Sequence, residues 1–448
     1  MAIAQMAIAQ MKRQEARIQT SWALTPRVQG GLGSIPCLSA SSVPSADTTA
    51  VSGLELQAGG PTRLTHRPVW PAMIPLDHPL PPARNRIMRR LLCSLLTLAS
   101  YCCVQADEPG RVAPSRLAWW PNPELLRTLR TRSNVTVQTP PFDPGFTWKE
   151  AVVSWNTAHA EGLSVRVRPI WKGDPGPWYV MAHWCQDTNT SPRTSVPNQS
   201  DSAARVDTDT LLVANPATAI EVELTLSTAT AKVPADLRIG VSLLGSETTA
   251  LEPLVHRPAW GRLLTVPIRS QADYPEGVQT WCSPSSLSMI LSHWGNQLAY
   301  PELLQDVPQV ARGVFDPAWP GTGNWTFNAA YAGQYRTLSA CVSRLGGMGD
   351  LERWIAAGMP VATSVSYAQL KGSAEPKPGD GHLVVVTGFT SAGDVQVHDP
   401  GVRRERVVRT IPRADFMRAW NHSSRTAYLI WSRNSQPPPG GDGRWPDR

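Results

Sequence analysis

In the stretch QTWCSPSSLSMILSHWG, residues 279–295, a cysteine stands immediately before a helical pattern. Leu287, Ile290, Leu291 and Trp294 recur at the spacing of one helix face, and Pro284 is tolerated in a first turn. Gly295 falls where the residue just past a helix end belongs. The spacing predicts a helix with Cys282 at its N-cap and the sulfur close to unpaired backbone N–H groups. A helix terminus alone does not make that thiol an anion. It contributes roughly 0.3–1 kcal/mol, against about 1.4 kcal/mol for each pKa unit, so a cationic partner is required. Histidine suits that role, because it takes the thiol proton and is itself oriented by a carboxylate or an amide.

Beyond residue 106 the chain offers His159, His183, His256, His293, His382, His398 and His422. His293 shares the helix with Cys282 but lies eleven residues on. At about 3.6 residues per turn that is some three turns away, out of reach of the sulfur. His382 follows Gly379, Asp380 and Gly381 and opens the apolar run HLVVVTGF, where a polar ring has no packing reason to be. Asp399 ends the next run, DVQVHD, and precedes Pro400, which stops the ladder there. The turn TSAG joins the two runs as a hairpin. Its simplest register sets Asp399 opposite Val386 rather than His382, so a bulge or twist must close the gap. His398 then points away from the face that Asp399 uses. By spacing alone, a Cys, a His and an Asp spread over 118 residues are a weak signal. Cys341, in LSACVSRL, and Cys185, beside Trp184, read as buried small hydrophobes.

The formal net charge of +7 would direct attention to nucleic acid or anionic lipid. Its distribution removes that reading: residues 1–106 hold 10 Lys+Arg against 4 Asp+Glu, and the rest of the chain 32 against 31. Residues 1–87 begin MAIAQMAIAQM and continue without an apolar period, as an upstream extension that buries no core. From Met88 the sequence MRRLLCSLLTLASYCCVQAD has a basic start, an apolar run over residues 91–104 and a small-residue site at Val104, Gln105 and Ala106. That is the pattern of a secretory signal peptide over residues 88–106, and its run falls short of the ~20 apolar residues of a membrane span. The expectation is a secreted or periplasmic protein that starts near Asp107 and keeps no membrane insertion. Cys185, Cys282 and Cys341 remain, an odd number in an oxidising compartment, so at least one thiol is free.

Short alternating runs fill residues 107–264: AVVSW, LSVRVRPIW, WYVMAHW, TLLVA, IEVELTL and LRIGVSLL. Turn residues separate them, the pattern of an antiparallel β-sandwich. Trp148, Trp155, Trp171, Trp178 and Trp184 fit the core of such a sandwich better than a carbohydrate platform, since alternating strands bury one face. After the link VHRPAWGRLLTVPIRSQ the pattern mixes helix and strand: LERWIAAG as a second helix, then strands at 360–367, 382–389 and 394–399. GVFDPAWPGTGNWTFNAAYAGQY, residues 313–335, reads equally as a cleft lining or as ordinary packing. The Pro/Gly-rich end, residues 434–448, reads as a disordered tail.

Three segments, RSQADYPEGVQTWCSPSSLSMILSHWG, GDLERWIAAGMPVATSVSY and GHLVVVTGFTSAGDVQVHDPG, together resemble the C39-like subgroup of papain-like cysteine peptidases over residues 265–432. In that family a Gln, a Cys opening the central helix, a His after Gly at a strand start and an Asp in a DP pair form the site. The resemblance implies Cys282 as nucleophile, His382 as general base and Asp399 as the acid that orients it. For the oxyanion donor it implies Gln271, through the dipeptide Ser270-Gln271 eleven residues before Cys282, with Gln279, three residues before, as the rival. EAVVSWN and VDTDTLLV resemble the N-terminal partner domain of the same subgroup. The implied fold is α+β: a papain-like cysteine peptidase domain over residues 265–433, preceded by the β-sandwich. The implied activity is hydrolysis of a peptide or cell-envelope peptide through an acyl-enzyme, with no metal or cofactor required. Two rivals are an inert papain-like domain on a glycan- or envelope-binding protein, and an acyl or amide transferase of transglutaminase-like chemistry.

Overall fold

The computed structural model describes residues 111–158, 162–185, 193–227, 232–250 and 254–446. The upstream extension and the signal pattern of residues 88–106 lie outside the described residues.

Residues 111–250 build two large antiparallel sheets and a two-stranded pair, Arg111–Val112 with Thr249–Ala250. One has five strands, in the order Ser115–Trp120, Arg238–Gly245, Trp148–Asn156, Thr210–Ala217 and Ala204–Asp207. The other centres on Gly162–Trp171 paired with Ala219–Ser227. Gly162–Trp171 keeps the period of two: Leu163, Val165 and Val167 are buried, while Arg166 and Arg168 face outward. There they pair with Glu223 and Glu221, and both guanidiniums lie over the Trp178 ring, at 4.9 and 4.6 Å. That indole is therefore already covered. Trp148, Trp155 and Trp184 are core, as the alternation predicts.

Trp148–Asn156 departs from alternation: residues 151–156 are all buried. One face meets the second sheet, and the other meets the C-terminal half of the chain. Asn156 donates to the Ala340 carbonyl at 2.7 Å and accepts from the Ala340 N–H at 2.8 Å, and Ser154 Oγ accepts from Val342 N–H at 3.0 Å. Trp184 stands edge-on between Trp155 and Phe327, with centroids at 5.7 and 5.4 Å.

The C-terminal half is one six-stranded antiparallel sheet with helices. Its strands in chain order are β1 (Leu338–Arg344), β2 (Val361–Ser366), β3 (Gly381–Phe389), β4 (Val395–His398), β5 (Val408–Ile411) and β6 (Thr426–Ser432). In space they run β1-β6-β2-β3-β4-β5, so β5 is an edge. Helix α1 (Cys282–Leu298) packs on β3, and its residues 283–295 are all buried. Helix α2 (Val307–Val314) packs on α1, α3 (Trp325–Gly333) on β1 and Trp148–Asn156, and α4 (Met348–Ala356) covers β2 and β3. Of residues 313–335, then, the helical part is packing, while Phe315 and Trp319 in the preceding loop stay exposed.

Three expectations are corrected. The N-cap of α1 is Trp281, so Cys282 is the first helical residue. The helix runs past Gly295 to Leu298 and ends on Ala299 in the left-handed region, φ 50°. Gly295 instead allows a close approach, since a Cβ there would meet Leu304 at 2.7 Å. The C-terminal segment described, up to residue 446, is no loose tail: Trp445 is 1% exposed, Leu117 N–H donates to the Gly443 carbonyl at 2.7 Å, and Arg444 pairs with the buried Asp350. Buried apolar area and a buried ion pair offset the ordering of those Pro and Gly residues.

Candidate active site

Cys282 opens α1 half-buried, with the free N–H groups of a first turn beside it. What sets α1 against β3 is local: Ser286 Oγ donates to the Leu383 carbonyl at 3.1 Å, and the Leu383 N–H points at the Cys282 sulfur. His382 is the neighbour of Leu383, 4% exposed, and it hydrogen-bonds the same sulfur.

Asp399 reaches His382 through the bulge the sequence requires. Phe389 pairs with Val395 and Gly388 with Gln396, then the register shifts at Thr387, so that Val386 pairs with Val397 and Val385 with His398. Continued without the shift, Asp399 would fall opposite Val385, on the face away from His382. With it, Asp399 falls opposite Val384, two residues from His382 on the same face, a diagonal that long side chains span. His382 Nε2 lies 2.8 Å from Asp399 Oδ1. The other ring nitrogen, Nδ1, is left to serve the thiol.

Asp399 is fully buried. Its Oδ1 also accepts from Gly401 N–H at 2.9 Å, and its Oδ2 accepts from Arg409 Nη1 at 2.5 Å. Burial works against its charge, but His382, Gly401 and Arg409 hold the carboxyl below its ordinary value. Burial likewise opposes an imidazolium, yet the bonds to Asp399 and Cys282 push His382 up to about 9. Burial raises the Cys282 thiol; the His382 bond and charge more than reverse this, and the net shift is downward. A thiol moved down beside an imidazole moved up is the arrangement that favours a thiolate–imidazolium pair.

Gln271 is buried on the turn Gln271–Asp273, capped by Ser270. Its backbone N–H donates to the Pro400 carbonyl at 3.0 Å and Ser270 Oγ to the Val402 carbonyl at 2.6 Å, so this strap hangs from the loop that carries Asp399. One amide N–H of Gln271 donates to the Val278 carbonyl at 2.7 Å, which leaves the second free. Gln279 is exposed.

With this geometry stands a match over most of the two halves. Residues 263–428 match the Peptidase_C39 like family, and residues 122–243 match the Peptidase C39 N-terminal domain. Residues 263–428 belong to the C39-like peptidase family. Among solved structures, a C39-like peptidase from Bacillus anthracis is 19% identical, over 38% of this chain and 98% of that one, with a TM-score of 0.30. A carbohydrate-binding module of the β-sandwich superfamily is 8% identical, over 32% of this chain and 58% of the module, at TM-score 0.14. At these scores neither structure adds to the argument. No curated protein matches the chain.

Two residues of this C39-like domain that the sequence reading misses stand against the histidine. Tyr367 lies with its ring centroid 4.3 Å from that of His382 and donates its hydroxyl to the Gly401 carbonyl at 3.0 Å. Arg409 anchors Asp399 from the edge strand. Tyr367 ends a segment that carries the resemblance without a role being implied for it, Arg409 lies outside those segments, and only the pairing of strands brings them in. Cys185 and Cys341 are buried, and burial pushes the Cys341 thiol well up, as a structural cysteine requires. His398 points away from the site, and burial moves it down to about 4.

Proposed function

We propose that the chain is an exported cysteine peptidase or amidase with a papain-like catalytic domain, acting through Cys282, His382 and Asp399. The observation that carries this is the His382 ring, tied by Nε2 to Asp399 at 2.8 Å while it hydrogen-bonds the Cys282 sulfur. The thiolate attacks a substrate amide carbonyl, and the C–N bond breaks as His382 gives its proton to the leaving amine. Water then attacks the thioester carbonyl as His382 takes its proton, the C–S bond breaks, the carboxylic acid leaves, and the expelled thiolate again faces the imidazolium. The oxyanion formed in each half is met by the Cys282 backbone N–H and the second amide N–H of Gln271. Family membership supports the reaction class. The signal pattern of residues 88–106 supports export, and with it a peptide or cell-envelope peptide as substrate.

The test is incubation of the purified protein with peptide and peptidoglycan-derived libraries, for wild type, Cys282→Ala and His382→Ala, with and without an added amine acceptor. New amine and carboxylate ends that vanish in both variants are expected. Products that carry the added amine would make the chain a transferase, and binding without turnover in the wild type would make it a scaffold.

A further inference from the structure

His382, Asp399 and Arg409 lie in a diagonal row across three strands. Asp399 N–H donates to the Val407 carbonyl at 2.8 Å, and Val397 pairs with Arg409, so Arg409 stands two residues along β5 from the position facing Asp399. His382 stands two residues along β3 on the other side. The buried carboxylate is thus held at both oxygens by groups from opposite neighbours: Oδ1 by His382, Oδ2 by Arg409. The arginine side chain is 25% exposed, and it reaches inward from an edge strand to do this.

The geometry points to Arg409 as a positioning residue of the Cys282 site: it holds the Asp399 carboxylate in place and balances its charge, and so sets the pH range over which Cys282 and His382 share one proton. This rests on the catalytic reading above. The charge count carries it. Thiolate, imidazolium, carboxylate and guanidinium sum to zero. Without the guanidinium the same cluster carries a net negative charge wherever the shared proton sits, on Cys282 or on His382, and an uncompensated charge in a buried site is expensive. Removing a cation raises the proton affinity of every group beside it. The thiol would then ionise at higher pH, and the imidazolium would persist to higher pH.

The other groups that face the cluster do not supply this balance. The Tyr367 and Tyr428 phenols are held above their ordinary range, chiefly by burial, and stay neutral. Lys371 lies over the Tyr367 ring, at 3.8 Å from its centroid, and not against Asp399, whose oxygens are held by His382, Gly401 and Arg409. The Asp380 carboxylate is turned to Ser366 Oγ and the Ala368 N–H, with His422 at 3.7 Å. A purely structural Arg409, one that only fastens the β5 edge, would change stability and leave ionisation where it is.

The experiment follows alkylation of Cys282 by iodoacetamide between about pH 4 and 10. It uses the full chain as wild type, Arg409→Met, Arg409→Lys and Arg409→Gln, with Cys282→Ala as the background for other thiols and thermal unfolding in parallel. In Arg409→Met both limbs of the profile should move up by roughly 0.5 to 1 pH unit, as expected for a unit charge removed at this range and partly screened by solvent. Arg409→Lys should stay close to wild type. Arg409→Gln keeps a donor to Oδ2 without charge, and it carries the same expectation should the Met variant fail to fold. Limbs unmoved in the Met and Gln variants, with only a lowered unfolding temperature, would overturn the assignment. A wild type whose Cys282 reacts no earlier than an ordinary thiol would overturn the catalytic reading itself, and this one with it.

Discussion

Asp399 shares a sheet face with His382 because one extra residue, Thr387, is accommodated in β3 between Val386 and Gly388. Since side chains alternate, a single unit of register decides whether the carboxylate and the imidazole meet or face opposite sides of the sheet. The contact between them, at 2.8 Å, acts with the Cys282 bond to raise His382 above an ordinary histidine.

Asp399→Asn keeps the shape and removes the charge. His382 is raised to about 9 in the folded protein, so wild-type turnover should fall as pH rises through about 9, where the imidazolium is lost. In the variant that alkaline limb should move down toward the ordinary histidine range, with kcat/KM lower by roughly 10- to 100-fold near neutrality. A pH–rate profile for each protein checks this. An unmoved limb would mean that the carboxylate only orients the ring.

Gly401→Ala probes the packing of the same ring. A Cβ at Gly401 would lie 2.7 Å from His382 Cε1 and 3.0 Å from the Tyr367 hydroxyl. The ring must shift, and a displacement of the order of 1 Å at a catalytic group costs about 100-fold in rate. Gly401 sits at the surface end of the sheet, so the thermal midpoint should change little. Equal losses of activity and stability would show general disruption instead.

Elements whose large apolar residues recur at helical spacing, or form a run bounded by Gly or Pro, were legible in the sequence. Leu287, Ile290, Leu291 and Trp294 form the α1 core face, and His382 and Asp399 sit at or beside the ends of β3 and β4. Strands β1 and β6 were not: like β2 and β3 they are buried and show no alternation, but Gly and Pro residues mark where β2 and β3 begin, and no such punctuation directly precedes β1 or β6. Arg409 was hidden for another reason: its contact with Asp399 depends on the register of β4 against β5, which no local spacing encodes. Trp445 was hidden because its environment comes from distant chain, Trp354 among it, with ring centroids 5.8 Å apart.

His398 makes a prediction about acid stability. Its Nδ1 has no partner, so the ring donates from Nε2 to the Pro267 carbonyl and stays neutral in the fold, with its pKa lowered by burial to about 4. The unfolded chain takes up that proton near pH ~6.5. Stability is therefore complete above the unfolded value and is lost as pH falls from there toward the folded one, by at most roughly 3 kcal/mol. His398→Gln keeps a donor and does not titrate, so its thermal midpoint should stay flatter over that window. Parallel curves for the two proteins would assign the acid sensitivity to other groups.

Gln271 and Gln279 compete for one role, and their surroundings separate them. Gln271 is buried, fastened through its own backbone to Pro400 and through Ser270 to Val402, so its free amide N–H is held in place before substrate arrives. Gln279 is exposed and would have to be ordered in each turnover. A preorganised donor is the kind that stabilises an oxyanion, and its removal costs about 100- to 1,000-fold in kcat. Gln271→Ala should show that loss with iodoacetamide reactivity of Cys282 retained, because the thiolate pair does not use the amide. Gln279→Ala should remain within a few-fold of wild type. The reverse ranking in single-turnover acylation rates would move the donor to the turn before α1, and with it the side of the cleft on which the substrate carbonyl lies.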